Sequence, residues 1–184
     1  IIKMKNIVLS IVLSTLAIFI LKAVSWMVLP FHGEMLQPIS EHYIQGVNKE
    51  NEFIASGLYH YPDIKDPNLA NKIAKGPRIP LMVVVKEGSS VFNPLDLLKS
   101  LITDLITVLL VFIFIKNIKD KSLKNVMKVS FLLALLVTFV SDLPITVWYK
   151  FPLKFAVLNT LDHVIGICIS GFIISKLTFK NSTI

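Results

Sequence analysis

Four apolar runs, at about 6–29, 97–115, 129–149 and 155–175, govern what this chain can become. Each is close to the roughly 20 residues a helix needs to cross a bilayer. A lipid-facing segment must satisfy its own backbone hydrogen bonds, so each run is expected to be a helix. The expected fold is therefore an all-α integral membrane protein. It is a four-transmembrane-helix bundle formed as one membrane domain, 1–184, with an extracytoplasmic cap loop, 31–93, between helices 1 and 2. Charged residues make up 17% of the chain, below the quarter typical of soluble domains.

The net charge of +7 invites a nucleic-acid reading. Its distribution argues for topology instead. Lys3, Lys5, the linker 116–128 and the tail after the fourth run hold nine lysines against one acid, Asp120. The 31–96 loop holds six basic and eight acidic residues. By the positive-inside rule both termini and the basic linker are expected in the cytoplasm, with 31–96 outside. A bacterial inner membrane is the expected setting, with membrane lipid as one partner and no nucleic acid. The first run also resembles a signal peptide, with Ala23-Val24-Ser25 as a cleavage site. Apolar sequence continues through Trp26-Met27-Val28-Leu29, so an anchored helix is expected, and Met4-Lys5-Asn6 reads as a native start.

Local signals fill in the rest. Asn93-Pro94 with Asp96 in the first turn opens the second helix. Pro144 is expected to kink the third and to free the carbonyl of Val140. Within the loop, "DPNLANKIAKGP" predicts a short helix capped by Asp66 and ended at Gly76-Pro77. Ser40 is a start signal for a second. "IPLMVVVKEGSS" predicts an extended segment and a turn.

Every span supplies an ionisable residue well inside its ends: Lys22, Asp104, Asp142 and Asp162, with His163 beside the last. Lys22 is eight residues before Pro30 and Asp142 seven before Tyr149. Asp162 is eight after Lys154, and Asp104 eight after Asp96. At 1.5 Å per residue all four lie about 10–12 Å from the same ends of their helices. Helical spacing puts Asn159, Asp162, Gly166 and Ser170 on one face. Thr103, Asp104 and Thr107 share another, Thr138, Ser141 and Asp142 a third, and Ser14, Ile18, Lys22 and Ser25 a fourth. Small and polar stripes of this kind face neighbouring helices.

The expected result is a buried polar layer of Lys22, Asp104, Asp142, Asn159, Asp162 and His163. Each such charge costs about 2.5–3.5 kcal/mol at a helix centre, so the groups must pair, bind protons or reach water. One lysine cannot neutralise three aspartates. A protonated carboxyl, a charged His163, a bound cation or an aqueous pocket would complete the balance.

Catalytic and metal readings find little support. Cys168 is the lone cysteine, which excludes an intrachain disulfide and a Cys-X-X-Cys pair. His32, Glu34, Glu41, His42 and His60 match no zinc spacing and are assigned surface or capping roles. Asp162 and His163 are sequence neighbours pointing about 100° apart, and no nucleophile elbow precedes them. No catalytic residue, metal ligand or cofactor is assigned. The functional expectation is a non-enzymatic accessory or scaffold subunit of a larger membrane complex. A small proton- or cation-coupled transporter is the alternative, and a membrane enzyme acting on lipid or quinone the third reading.

The segments "AVSW" (23–26), "FHG" (31–33), "GPRIPLMV" (76–83), "LITDLITVLL" (101–110) and "LNTLDHVIG" (158–166) carry a resemblance. Together they are similar to a family of small bacterial four-helix membrane proteins of Bacteroidetes-like lineages. That family carries no activity to transfer. Lys22 and Asp142 have no counterpart in its pattern.

Overall fold

The computed structural model describes residues 3–42, 56–85 and 93–179. Four helices are long and apolar enough to cross a membrane: Met4–Val28, Pro94–Asn117, Leu123–Tyr149 and Leu153–Thr178. Between 22% and 33% of each span's apolar window is buried, which leaves most of its surface for lipid. The chain is a multi-pass, all-α membrane protein.

In chain order the elements are α1 (Met4–Ala23), a π-helical segment (Val24–Val28), α2 (Pro30–Gly33), β1 (Gly57–Tyr61), α3 (Leu69–Lys75) and β2 (Ile79–Val84). There follow α4 (Pro94–Asn117), α5 (Leu123–Val137), a second π-helical segment (Thr138–Asp142), α6 (Leu143–Tyr149) and α7 (Leu153–Thr178). They divide into two compact units. One holds 1–36, 94–146 and 151–184; the other holds 37–93 and 147–150.

In the larger unit α7 is central. It packs along α1 and along α5, while α4 packs mainly on α1 and barely touches α5. The core runs through Ile18, Val108, Ile115, Val126, Ala134, Ile167 and Ile174. Two contacts show how close the helices come. Ser10 accepts a hydrogen bond from Thr178 at 3.0 Å, its own proton going to the Ile7 carbonyl at 2.8 Å. A Cβ placed on Gly171 would stand 2.1 Å from Ser130 Oγ and 3.1 Å from its Cβ, so a methyl group there would have to displace the Ser130 hydroxyl.

The third span begins six residues before the expected 129. Ser122 caps it, its hydroxyl accepting from the Asn125 amide at 3.4 Å. Lys124 and Lys128 therefore lie on the helix, exposed, where their stems can carry the charge outward. The linker shortens to 118–122.

The expected proline kink is a π-helical turn. The Leu143 amide reaches back five residues to the Thr138 carbonyl, just ahead of Pro144. A π turn repeats every four to five residues. Thr138 and Asp142 thus share a buried face while Ser141 turns outward, contrary to its expected place in the stripe. Thr103 also departs from its stripe and is exposed. Its hydroxyl bonds back to the Lys99 carbonyl at 2.9 Å, and that of Thr107 to Thr103 at 3.0 Å, so neither needs a neighbouring helix.

In the smaller unit β1 and β2 pair antiparallel, Gly57 opposite Val84 and Tyr59 opposite Met82. The β2 segment follows expectation; β1 was not read from sequence. Asp66 folds over the start of α3 by accepting from the Asn68 amide at 2.7 Å, and it pairs with Lys72. The helix itself starts at Leu69, three residues after the expected cap, and Gly76 ends it at φ 64°. The Ser40 helix and the turn after β2 fall largely outside the described residues.

Candidate functional site: a polar layer across four spans

Cross-helix pairs join all four spans at the level the residue counts indicate. Lys22 on α1 forms an ion pair with Asp104 on α4. The Asp104 side chain is fully buried and that of Lys22 is 39% exposed. A carboxylate with no access to solvent needs such a cation, because an unpaired buried charge is far costlier than a paired one.

Asp162 on α7 turns to the first span instead. Ser25, in the first π segment, donates its hydroxyl to both carboxylate oxygens at 2.8 and 2.9 Å. His32 Nε2 lies 3.2 Å from Asp162 Oδ2. The imidazole is 2% exposed, and Trp26 stacks on it with ring centroids 4.0 Å apart and planes 14° apart. His32 is thus part of the bundle and not a surface residue. Pro30 starts a four-residue helix that folds the chain back over the end of the first span and carries His32 inward.

Asp142, in the second π segment, meets α7 one residue later. His163 Nε2 approaches Asp142 Oδ2 at 3.1 Å without hydrogen-bond alignment, and Asn159 donates to Oδ1 at a long 3.5 Å. The angle between Asp162 and His163 therefore has a use: consecutive residues on α7 serve opposite neighbours. Asp142 is buried, and His163 keeps 29% of its side chain exposed.

The three acids divide among separate partners. The lysine serves one acid, a histidine and a serine the second, a histidine and an asparagine the third. Both π-helical segments among the described residues supply a member, Ser25 and Asp142. Such bulges concentrate where helices are bent to purpose.

The geometry also limits the chemistry. Ser25 bonds to Asp162 and not to His32, so the acid sits between serine and histidine. In a nucleophilic triad the histidine must stand between the other two. Among the described residues no three His, Cys, Asp or Glu side chains gather in a metal-holding cluster. Glu34 pairs with Lys154 at 3.1 Å, and His60 Nδ1 lies 3.0 Å from the Pro62 carbonyl. Glu41 and His42 are exposed.

Comparison with protein-family models, with curated proteins and with solved structures gave no match. The reading of function rests on the layer itself.

His32 is the member that sequence reasoning missed. It follows Pro30 and so falls outside the apolar run. The available signal was Trp26, six residues earlier: an aromatic at the helix end gives a returning imidazole a partner.

Proposed function

We propose that this protein is a non-enzymatic accessory or scaffold subunit of a larger bacterial membrane complex. In this reading it lies in the inner membrane with both termini inside and 31–96 outside. The lysine asymmetry supports that orientation.

The exposed flank of the layer carries the reading. His163 is ten residues into α7, about 15 Å along the helix, close to the middle of a hydrocarbon core roughly 30 Å thick. Its side chain is 29% exposed, and Ser141, the residue before its partner Asp142, is exposed as well. Lys22 has a stem long enough to lift its charge toward the headgroups. An imidazole has none. Intramembrane ionisable groups turn toward protein or water, and a partner helix over His163 and Ser141 would supply that cover. The serine–acid–histidine order supports the non-enzymatic part.

Gentle extraction in polymer-bounded native discs, with a photo-crosslinking residue at Ser141, tests this. A stoichiometric membrane protein linked at Ser141 and lost in His163→Leu is the expected result. A monomer with no crosslinked partner overturns the reading.

One observation favours a second reading, proton or cation coupling. Asp142 Oδ2 is buried without an aligned hydrogen bond, beside an imidazole that can exchange its proton. Liposomes would then show a pH-driven flux that Asp142→Asn abolishes. The absence of any pH response ends this alternative.

A further inference from the structure

The smaller unit holds a cavity of about 500 Å³, inside the range of roughly 300–1,000 Å³ usual for small-molecule sites. All its walls belong to that unit, among them Leu58 and Tyr61 of β1, Leu69 and Ile73 of α3, and Ile64 and Tyr149. Most of the lining is carbon. Leu69 and Ile73 stand one turn apart, so α3 gives its apolar side to the cavity. Leu58, Ile64 and Ile73 are nevertheless 71%, 69% and 40% exposed, while the buried apolar core among the described residues lies in the larger unit. Covering such carbon is favourable, and an apolar patch left open around a hollow marks a place for a ligand.

One fixed charge interrupts this lining. Arg78, the single arginine of the sequence, lies between α3 and β2 and contributes to the wall. No aspartate or glutamate does so among the described residues. Arginine keeps its charge at every physiological pH, and its planar fork matches a carboxylate. Arg78 is exposed and enters no hydrogen bond or ion pair among the described residues. Its guanidinium can therefore turn onto a bound anion without giving up a partner. The acids of the preceding loop are engaged elsewhere, Asp63 by the Lys65 amide at 3.0 Å and Asp66 by Lys72. Tyr149 ends the third span, and aromatic residues gather where membrane meets water. Single-chain acids collect at the same boundary.

We infer that this cavity binds a fatty acid, its alkyl chain covering Leu58, Ile64, Leu69 and Ile73 and its carboxylate pairing with Arg78. One guanidinium balances the single charge of a carboxylate, whereas a phosphate monoester carries about −1.5 to −2. A dry cavity of about 150 Å³ admits benzene, so one about three times larger takes a chain of about twelve carbons with its head. The site is independent of the partner proposed above, which concerns the His163 flank.

The lone arginine makes the test specific. ¹⁵N-arginine labelling in lipid nanodiscs gives one guanidinium Nε signal, that of Arg78, and dodecanoate is expected to move it saturably. Acetate, the head without the chain, and methyl dodecanoate, the chain without the charge, are expected to bind at least about tenfold more weakly. Equal binding of acetate, or a shift that grows with dodecanoate without saturating, overturns the site. A diazirine-bearing dodecanoate gives a second readout. On photolysis it is expected to label the 58–81 segment, with the half-saturating concentration raised about tenfold by Arg78→Gln and unchanged by Lys75→Gln, a neighbouring charge outside the wall. Both residues are exposed, so neither substitution disturbs packing. Labelling that Arg78→Gln leaves unchanged overturns the proposal, and so does an equal loss in Lys75→Gln, which would mean attraction to a basic surface at large.

Discussion

The first and fourth spans meet twice, and by different means. Toward the chain termini they meet through small groups: Ser10 with Thr178, Ser14 with the Ser170 carbonyl, and Gly171 with Ser130 of the third span beside them. Toward their other ends the same helices meet through charge: Asp162 with Ser25 and His32, with Lys22 and His163 reaching to the remaining spans. The first region is regular α-helix. The second is bent by π-helical segments that aim Ser25 and Asp142. Close packing needs only backbone proximity, and regular helices supply it. Polar pairs need particular directions, and two of the three acids here, Asp162 and Asp142, are served through a π-helical segment, whereas Lys22 and Asp104 meet from regular helix.

The contrast can be broken most strongly on the charged side. Asp104→Ala strands Lys22 and is expected to cost about 3 kcal/mol, the low end for breaking a buried pair because Lys22 is partly exposed. Steric-trap unfolding in bicelles measures it. Next is Gly171→Ala, which forces a methyl group into Ser130 and is expected to cost about 1–3 kcal/mol. Adding Ser130→Gly should restore most of that stability, and failure to do so would show that the approach of α5 and α7 is not set at this contact.

How much of this was legible follows the same divide. Lys22, Asp104, Asp142 and Asp162 could be placed at one level by counting, because helical rise is fixed. Asn159, Gly166 and Ser170 on α7 follow the regular period and are buried as read. Ser141 and Thr103 were misplaced for physical reasons. A π turn changes the period at Ser141, and a hydroxyl bonded four residues back frees Thr103 from any need for a partner. His32 could not be placed by periodicity, because its burial depends on the short helix after Pro30; only Trp26, on which it stacks, hinted at it. The first π segment had no proline to announce it, whereas the second had Pro144.

Smaller effects sharpen the comparison. Ser10→Ala removes one hydroxyl bond and is expected to cost about 0.6 kcal/mol, the usual yield of a hydrogen bond between membrane helices. A matching loss from Thr178→Ala, with no further loss in the double variant, would show that the two hydroxyls act as one unit.

The smallest effect lies between the spans. The Ser122 amide and hydroxyl both donate to Asp120, at 2.8 and 2.9 Å, and hold its carboxyl below the ordinary value of 3.8. A lowered carboxyl stabilises the fold above its ordinary pKa and loses that contribution as pH falls through the lowered one. The capped Asn125 amide should therefore lose hydrogen-exchange protection only below about pH 4, the ordinary carboxylate range. Asp120→Asn should remove that dependence.

The central claim is the division of three acids among separate partners, and double-mutant cycles on Lys22 test it most directly. Coupling of Lys22→Met with Asp104→Leu is expected at about 1 kcal/mol or more, with couplings to Asp142→Leu and Asp162→Leu within about 0.5 kcal/mol of zero. Equal coupling of Lys22 to all three acids would mean one shared charge cluster and would contradict the account.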